Sequence, residues 1–255
     1  RQGFDEWLGY LNQRRAHLYY QDYLWKNEQK LVLEGNLDGK RGTYVHDLFS
    51  DFALDFIRRH RGGPFFLYVA YTIPHVELAV PEDSAKPYRG KFPETPYRDP
   101  RGRLMNQDQP KAVYAGMVSR MDRDVGRIMA LLKELDIDGD TIVFFTSDNG
   151  AQNGVGTDPD YFGATGKLRG YKGSPYEGGL RVPMIVRWPG HVPPGTTSDQ
   201  VWAFWDFLPT AAELAGVEPP KGIDGISMLA ALLGRKQRGH EFLYWELPWG
   251  RFAQA

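Results

Sequence analysis

Residues 113–135 carry apolar side chains at Val113, Met117, Met121, Val125, Ile128, Leu132 and Leu135, with Asp122, Arg123, Arg127 and Lys133 mostly off that stripe. Steps of three and four place the apolar set on one helical face that must be covered. The stretch "DIDGD" breaks the pattern, and "TIVFFTSDNG" follows, its 141–146 run too apolar for a strand with one wet face. A helix that must be covered, running into a strand buried on both sides, restricts the chain to a layered α/β arrangement.

The same alternation recurs. Val45, Leu48, Phe49, Phe52, Phe56 and Ile57 mark a helix after Thr43 that stops at the basic turn 58–61 and Gly62-Gly63. "PFFLYVAYT" (64–72) and "VPMIVRW" (182–188) predict further buried strands, and "FWDFLPTAAELAG" (204–216) one more helix. The expected fold class is α/β, with a large, mostly parallel or mixed sheet flanked by helices on both faces; ligands then gather at the carboxyl ends of the strands. Residues 82–111, rich in proline, arginine and lysine, show no clear period and read as an ordered excursion or lid. After Pro219-Pro220 the character changes, so residues 1–219 are expected to form one α/β domain and residues 220–255 to begin a second subdomain, with "EFLYWEL" as its first strand.

Charge and composition narrow the function classes. A formal net charge of −1 offers no long-range field for nucleic acid or an anionic membrane, so any anion must be held by local groups. No apolar stretch approaches the roughly 20 residues of a membrane-spanning helix. The absence of cysteine removes disulfides, thiolate metal sites and a cysteine nucleophile from these residues. The opening "RQGFDEW" has neither an initiating methionine nor an export signal, so an excised piece truncated at its N-terminus is expected.

Three polar features stand at predicted strand ends or in the loops beyond them. Asp148-Asn149-Gly150 presents a carboxylate and an amide oxygen together, hard ligands suited to Ca²⁺ or Mg²⁺, although the same tripeptide suits a plain turn. His75, after Pro74, can donate to an anion or protonate a leaving group near neutral pH; a solvated loop histidine is the alternative. "RGYKGSPYEGGLRVP" (169–183) carries Lys172 among glycines: Gly163, Gly166, Gly170, Gly173, Gly178 and Gly179 fall within 17 residues. Glycine lets backbone approach a ligand closely, and lysine brings a compact cation to an oxyanion; a flexible surface loop is the competing reading. Arg169 and Arg181 are expected to pair with carboxylates, and Glu177 to brace the glycine turn.

With these residues in view, "FFTSDNG", "LRGYKGSPYEGGLRVPMIVRWPG", "YTIPHVELAVP" and "DFLPTAAELAGV" resemble, in order, the signatures of the sulfatase family of the alkaline phosphatase superfamily. "MVSRMDRDVGRIMALLKELDI" resembles that family's helix before the metal strand, and "GFDEWLGYLNQRRAHLYYQDYLWKN" the segment after its first active-site loops. The resemblance implies that Asp148 and Asn149 are two ligands of an active-site Ca²⁺ (Mg²⁺ possible), that Lys172 contacts the sulfate and ester oxygen, and that His75 sits beside the sulfate and acts on the leaving alkoxide. It implies that these four side chains converge on one pocket. It also implies a formylglycine nucleophile made from a C/S-x-P-x-R motif, which attacks sulfur.

No C/S-x-P-x-R, Asp-Asp pair or G-K-W-x-L-G segment occurs in the 255 residues. The expectation is that these lie upstream in a longer parent, that the C-terminal subdomain is cut short, and that this piece alone turns over little or nothing. Within the superfamily a phosphatase or phosphonate hydrolase is the rival reading, and a non-catalytic binder of sulfated glycans is another. The expected substrate is a sulfate ester, of a carbohydrate by family analogy or of an aryl group; the tyrosines, tryptophan, arginines and lysines of 12–25 and 87–103 are candidate contacts to it, with packing and solvated surface the favoured reading for most of them. Periplasmic or secreted localisation is likewise implied by the family alone.

Overall fold

The computed structural model describes residues 3–247 and 252–254. By contacts the chain divides into two compact units: Arg1–Ile137 with Gln152–Ala164, and Asp138–Ala151 with Thr165–Ala255.

The first unit opens with an antiparallel meander of β1 (Leu8–Gly9), β2 (Tyr23–Lys26) and β3 (Gln29–Val32). Asn27, left-handed at φ 54°, makes the tight turn between β2 and β3, where Lys26 pairs with Gln29. Its side chain accepts the Trp7 amide at 2.8 Å and ties the turn to β1. Leu24 faces inward with Leu33 and Val45, whereas Tyr23 and Trp25, one residue to either side, share the opposite face of β2.

Three helices follow: α1 (Val45–His60), α2 (Glu82–Ala85) and α3 (Pro110–Glu134). The expected helices over 45–57 and 113–135 are present with their apolar stripes inward: Val45, Ala53, Leu54 and Ile57 on α1, and Val113, Met117, Leu131 and Leu132 on α3. The start of α3 is fixed from outside the helix. Pro110 fills a first-turn position that needs no donor, and the Glu94 carboxylate accepts the Lys111 and Ala112 amides at 2.9 Å each. The excursion 82–111 is thus ordered, with α2 and this cap built from it.

Asp124, fully buried on α3, joins the two long helices. It accepts His46 Nε2 at 3.0 Å and Ser50 Oγ at 3.0 Å from α1, together with Arg123 at 2.9 Å and Arg127 at 3.2 Å from its own helix. Burial would raise its pKa, but the hydrogen bonds from Arg123, Arg127 and Ser50 outweigh that and hold it below the usual carboxylate range. Burial pushes His46 down to about 4, against the pull of Asp124 and Asp47. A neutral His46 donating from Nε2 leaves only a lone pair at Nδ1, which accounts for that buried nitrogen having no partner.

Gln152–Ala164 returns to the first unit. Asp158 pairs with the buried Lys111 Nζ at 3.0 Å, and the Phe162 ring packs on Tyr114 and Phe92, with centroids 5.3 and 5.6 Å away.

The second unit holds β4 (Val143–Thr146), α4 (Glu177–Leu180), β5 (Met184–Arg187), α5 (Phe207–Leu214), α6 (Leu229–Leu232), β6 (Trp245–Leu247) and β7 (Phe252–Gln254). Strands were expected at 141–146 and 182–188 and are found, but β4 and β5 pair antiparallel, Thr146 opposite Met184 and Val143 opposite Arg187. The intervening 147–183 doubles back at the strand ends and does not cross a sheet face as a parallel connection must. Nor are these strands buried on both faces: Phe144 packs on Phe207 at 5.4 Å, while Ile185 is 61% exposed. The stretch 64–72 also departs from expectation. It runs extended without a ladder partner among the described residues, with Phe66 and Tyr68 exposed. An apolar run specifies a strand only where a neighbouring backbone takes up its hydrogen bonds, and every ladder among the described residues is antiparallel. The helix expected over 204–216 is present as one 3₁₀ turn (Phe204–Asp206) running into α5, and "EFLYWEL" contributes β6, antiparallel to β7.

Because His46 stays neutral in the fold, its depressed pKa destabilises the chain wherever the unfolded imidazole takes a proton that the folded one refuses. Stability is therefore full above about pH 6.5 and falls as the pH drops toward 4, by about 3 kcal/mol for a shift of this size. Urea unfolding across that window is expected to show this slope, and His46→Gln to flatten it. A second expectation concerns the helix start: Glu94→Ala strips two charge-assisted hydrogen bonds from α3 and should lower stability by about 1–2 kcal/mol in the same assay.

Candidate active site at the end of β4

In the second unit β4 ends at Thr146, and the chain turns through Ser147, whose hydroxyl donates to the Asn149 carbonyl at 3.0 Å. Asp148 is exposed and Asn149 half-buried, so both side-chain oxygens sit at the carboxyl end of the strand within reach of solvent. The glycine-rich loop closes against this turn largely through backbone. The Gly150 amide donates to the Gly179 carbonyl at 3.0 Å, and the Lys172 amide to the Ala151 carbonyl at 3.0 Å. The Thr146 hydroxyl adds a bond to Pro183 O at 3.0 Å where β5 begins. Asp148, Asn149 and Lys172, more than twenty residues apart in sequence, therefore belong to one interlocked pair of loops.

Glycine is obligatory here for a reason other than ligand access. A Cβ on Gly150 would overlap the Gly178 carbonyl oxygen, one on Gly178 the Gly170 carbonyl, and one on Gly179 the Ser174 carbonyl. The loop's own backbone occupies the space that the absent side chains leave. Gly170 and Gly173 add left-handed turns, φ 87° and 79°, on either side of Lys172. That correction leaves the lysine exposed at the tip of a tightly specified loop. Arg181 pairs with Glu177 at 3.5 Å as expected, whereas Arg169 lies over the Tyr176 ring at 3.8 Å and not on a carboxylate.

His75 belongs to the first unit. Its Nδ1 donates to Val76 O at 2.7 Å, and the Tyr19 hydroxyl donates to its carbonyl at 2.7 Å. The His17 ring meets it edge-on with centroids 4.9 Å apart, and His17 Nδ1 donates in turn to Gln13 O at 2.8 Å. Each ring is thus oriented by a bond from its Nδ1 to a backbone carbonyl. Sequence reasoning missed His17 as a neighbour, because 58 positions separate the two histidines and no spacing rule connects them. Glu77 is buried beside this cluster, raised by desolvation despite hydrogen bonds from the Met105 and Tyr19 amides.

The donor set fits part of a calcium or magnesium shell. Asp148 and Asn149 offer two adjacent hard oxygens, while Ca²⁺ takes six to eight. Among the described residues no cluster of three or more histidine and acidic side chains supplies a complete site.

The architecture has solved counterparts. The crystal structure of Ps i-CgsB superposes with a TM-score of 0.74 at 28% identity, over 91% of this chain and 51% of that one. The chain has the α/β, alkaline phosphatase-like fold of these structures. The family model "Sulfatase" matches residues 1–217, and the chain belongs to the sulfatase family. It is 35% identical to N-acetylgalactosamine-6-sulfatase of Sus scrofa, over 96% of this chain and 45% of that protein. Against steryl-sulfatase of Mus musculus the figures are 37% identity, 76% of this chain and 29% of that protein. The chain thus spans less than half the length of the curated relatives it matches.

Replacing Gly178 by alanine cannot be absorbed by side-chain rotation, since the obstruction is backbone on both sides. Gly178→Ala is expected to lower stability by about 2 kcal/mol or more and to accelerate hydrogen exchange of the Lys172 amide. Gly139→Ala, at a position with open space and without a left-handed φ, should leave that amide unchanged.

Proposed function

We propose that the chain is the middle portion of a sulfuric ester hydrolase that releases inorganic sulfate from a sulfate ester, with residues 1–219 belonging to its catalytic α/β domain and 220–255 beginning a C-terminal subdomain. The observation that carries this is the backbone interlock between the Asp148-Asn149 turn and the Lys172 loop in a chain of the sulfatase family.

In this reading Asp148 and Asn149 hold a Ca²⁺ ion, or Mg²⁺, through their side-chain oxygens. When bound, that ion offsets negative charge on the sulfuryl oxygens. Lys172 supplies a compact positive charge to the same oxygens, and its value rises in the transition state, where charge builds on them. The flanking glycines hold the lysine backbone in one place, so little reorganisation accompanies the reaction. His75, oriented by the bond from its Nδ1 to Val76 O, delivers a proton to the departing alkoxide oxygen and spares the leaving group an unstable anion. The nucleophile is a formylglycine contributed by another part of the parent protein. A sulfated carbohydrate is the preferred substrate class, supported by the name of the Sus scrofa relative and by the solved complex of Ps i-CgsB with k-i-k-neocarrahexaose, at 28% identity. A periplasmic or secreted setting goes with that substrate class. Among the described residues no helix is long and apolar enough to cross a membrane.

The full-length parent is expected to release 4-nitrophenol from 4-nitrophenyl sulfate, with at least 100-fold lower kcat/KM for 4-nitrophenyl phosphate. Asp148→Ala and Lys172→Ala should each lower kcat/KM by about 100-fold or more, in line with removal of a single charge-stabilising group, and the 255-residue chain alone should show no turnover. Equal rates on the two esters, or full activity in both variants, would refute the assignment.

A further inference from the structure

Two segments far apart in sequence, 17–19 and 72–77, are fastened together inside the first unit. The Glu77 amide donates to the His17 carbonyl at 2.8 Å. The Tyr19 hydroxyl, on a fully buried side chain, donates to the His75 carbonyl at 2.7 Å, with the Thr72 carbonyl 3.2 Å away. The buried Glu77 carboxylate accepts the Tyr19 amide and, at 3.0 Å, the Met105 amide. This frame brings two half-buried rings together: His17 lies edge-on to His75, with centroids 4.9 Å apart and planes inclined at 65°, a separation at which aromatic rings attract.

A histidine that is to deliver a proton needs such a support. Its χ2 torsion is broad, and the bond from His75 Nδ1 to Val76 O reaches only the next residue. That bond orients the ring relative to its own backbone and leaves it without a reference elsewhere in the molecule. A general acid has to meet the departing oxygen at hydrogen-bond distance, and a misplacement of about 1 Å in a reacting geometry costs about 100-fold in rate. His17 supplies the missing reference. Its own ring is tied through Nδ1 to Gln13 O at 2.8 Å and its carbonyl to the Glu77 amide, so the surface it presents to His75 is anchored on both sides.

We propose that His17 is a positioning residue for His75: it holds the His75 ring in the orientation from which a proton reaches the leaving-group oxygen, and it exchanges no proton with the substrate itself. The proposal rests on the hydrolase reading, in which His75 protonates the departing group, and adds to it a residue that acts only through His75.

The test compares 4-nitrophenyl sulfate with phenyl sulfate as substrates of the full-length parent. The 4-nitrophenolate anion departs readily without a proton, whereas phenolate is the stronger base and gains more from protonation as it leaves. His17→Ala is expected to lower kcat/KM for phenyl sulfate about 10-fold or more and that for 4-nitrophenyl sulfate by less than about 3-fold. His75→Ala should show the same bias in larger measure, and adding His17→Ala to it should change nothing further, because the two act as one unit. His17→Phe keeps a ring against His75 and should recover most of the phenyl sulfate rate. Should His17→Ala fail to fold, His17→Gln, which keeps a polar side chain without a ring, takes its place. Equal losses on the two esters, additive losses in the double variant, or no recovery in His17→Phe overturn the proposal. The His75 ring signals in NMR give a readout that needs no turnover: removing the His17 ring should shift them, and unchanged signals overturn the proposal by themselves. A parent that hydrolyses neither ester sinks the hydrolase reading, while a His75 shift in that same protein still supports the hold of His17 on the ring.

Discussion

The arrangement at the end of β4 depends on backbone meeting backbone. Two amide-to-carbonyl bonds, Gly150 to Gly179 and Lys172 to Ala151, close the glycine-rich loop onto the Asp148-Asn149 turn. They form only because Gly150, Gly178 and Gly179 carry no Cβ: each would otherwise collide with a carbonyl oxygen of the loop. Fixing a loop by its main chain leaves its polar side chains uncommitted. Asp148 and Lys172 consequently remain exposed.

The first unit uses the opposite strategy and buries its charge. Asp124 collects donors from His46, Ser50, Arg123 and Arg127, and Arg120 bridges Asp47 and Asp83 with bonds of 2.6–2.9 Å. Such a network is tolerable in a low-dielectric interior because the carboxylate's acceptor positions are filled. It fixes α1 against α3, and Glu94 fixes where α3 begins. On the outer side of that scaffold, the meander holds Tyr23 and Trp25 away from the core, and the 72–77 stretch holds His75 by its Nδ1 and its carbonyl.

Much of this was legible one element at a time. The stripes over 45–57 and 113–135 became α1 and α3, since helical amphipathicity is a local property that the interior only has to accept. The strands at 141–146 and 182–188 were legible for the same reason. Asp148, Asn149 and Lys172 could be singled out by residue type and position at strand ends, and motif order pointed to the sulfatase family before any coordinates. Strand direction and burial were not legible: the runs at 64–72, 141–146 and 182–188 look alike in sequence, yet one runs without a ladder and the other two meet antiparallel, because pairing is decided by which backbone arrives alongside. The left-handed turns at Gly170 and Gly173 were legible, whereas the backbone packed against Gly178 and Gly179 was not. A sequence shows that a Cβ is missing and cannot show what fills its place.

By itself, then, the sequence determined which segments are helical, where the chain turns and the family to which the chain belongs, since each follows from local periodicity, residue type or motif order. Tertiary structure alone decided that Ala151 would bond to Lys172 across twenty residues, that His17 would lie against His75, that Glu94 would cap a helix starting sixteen residues later, and that Arg15 would stack on Tyr23 with its Nε unsatisfied. The first three join segments distant in the chain, and the fourth is made across the loop that separates Arg15 from Tyr23. Their free energy exists only once the backbone has brought both partners to the same place, and no spacing along the sequence encodes that.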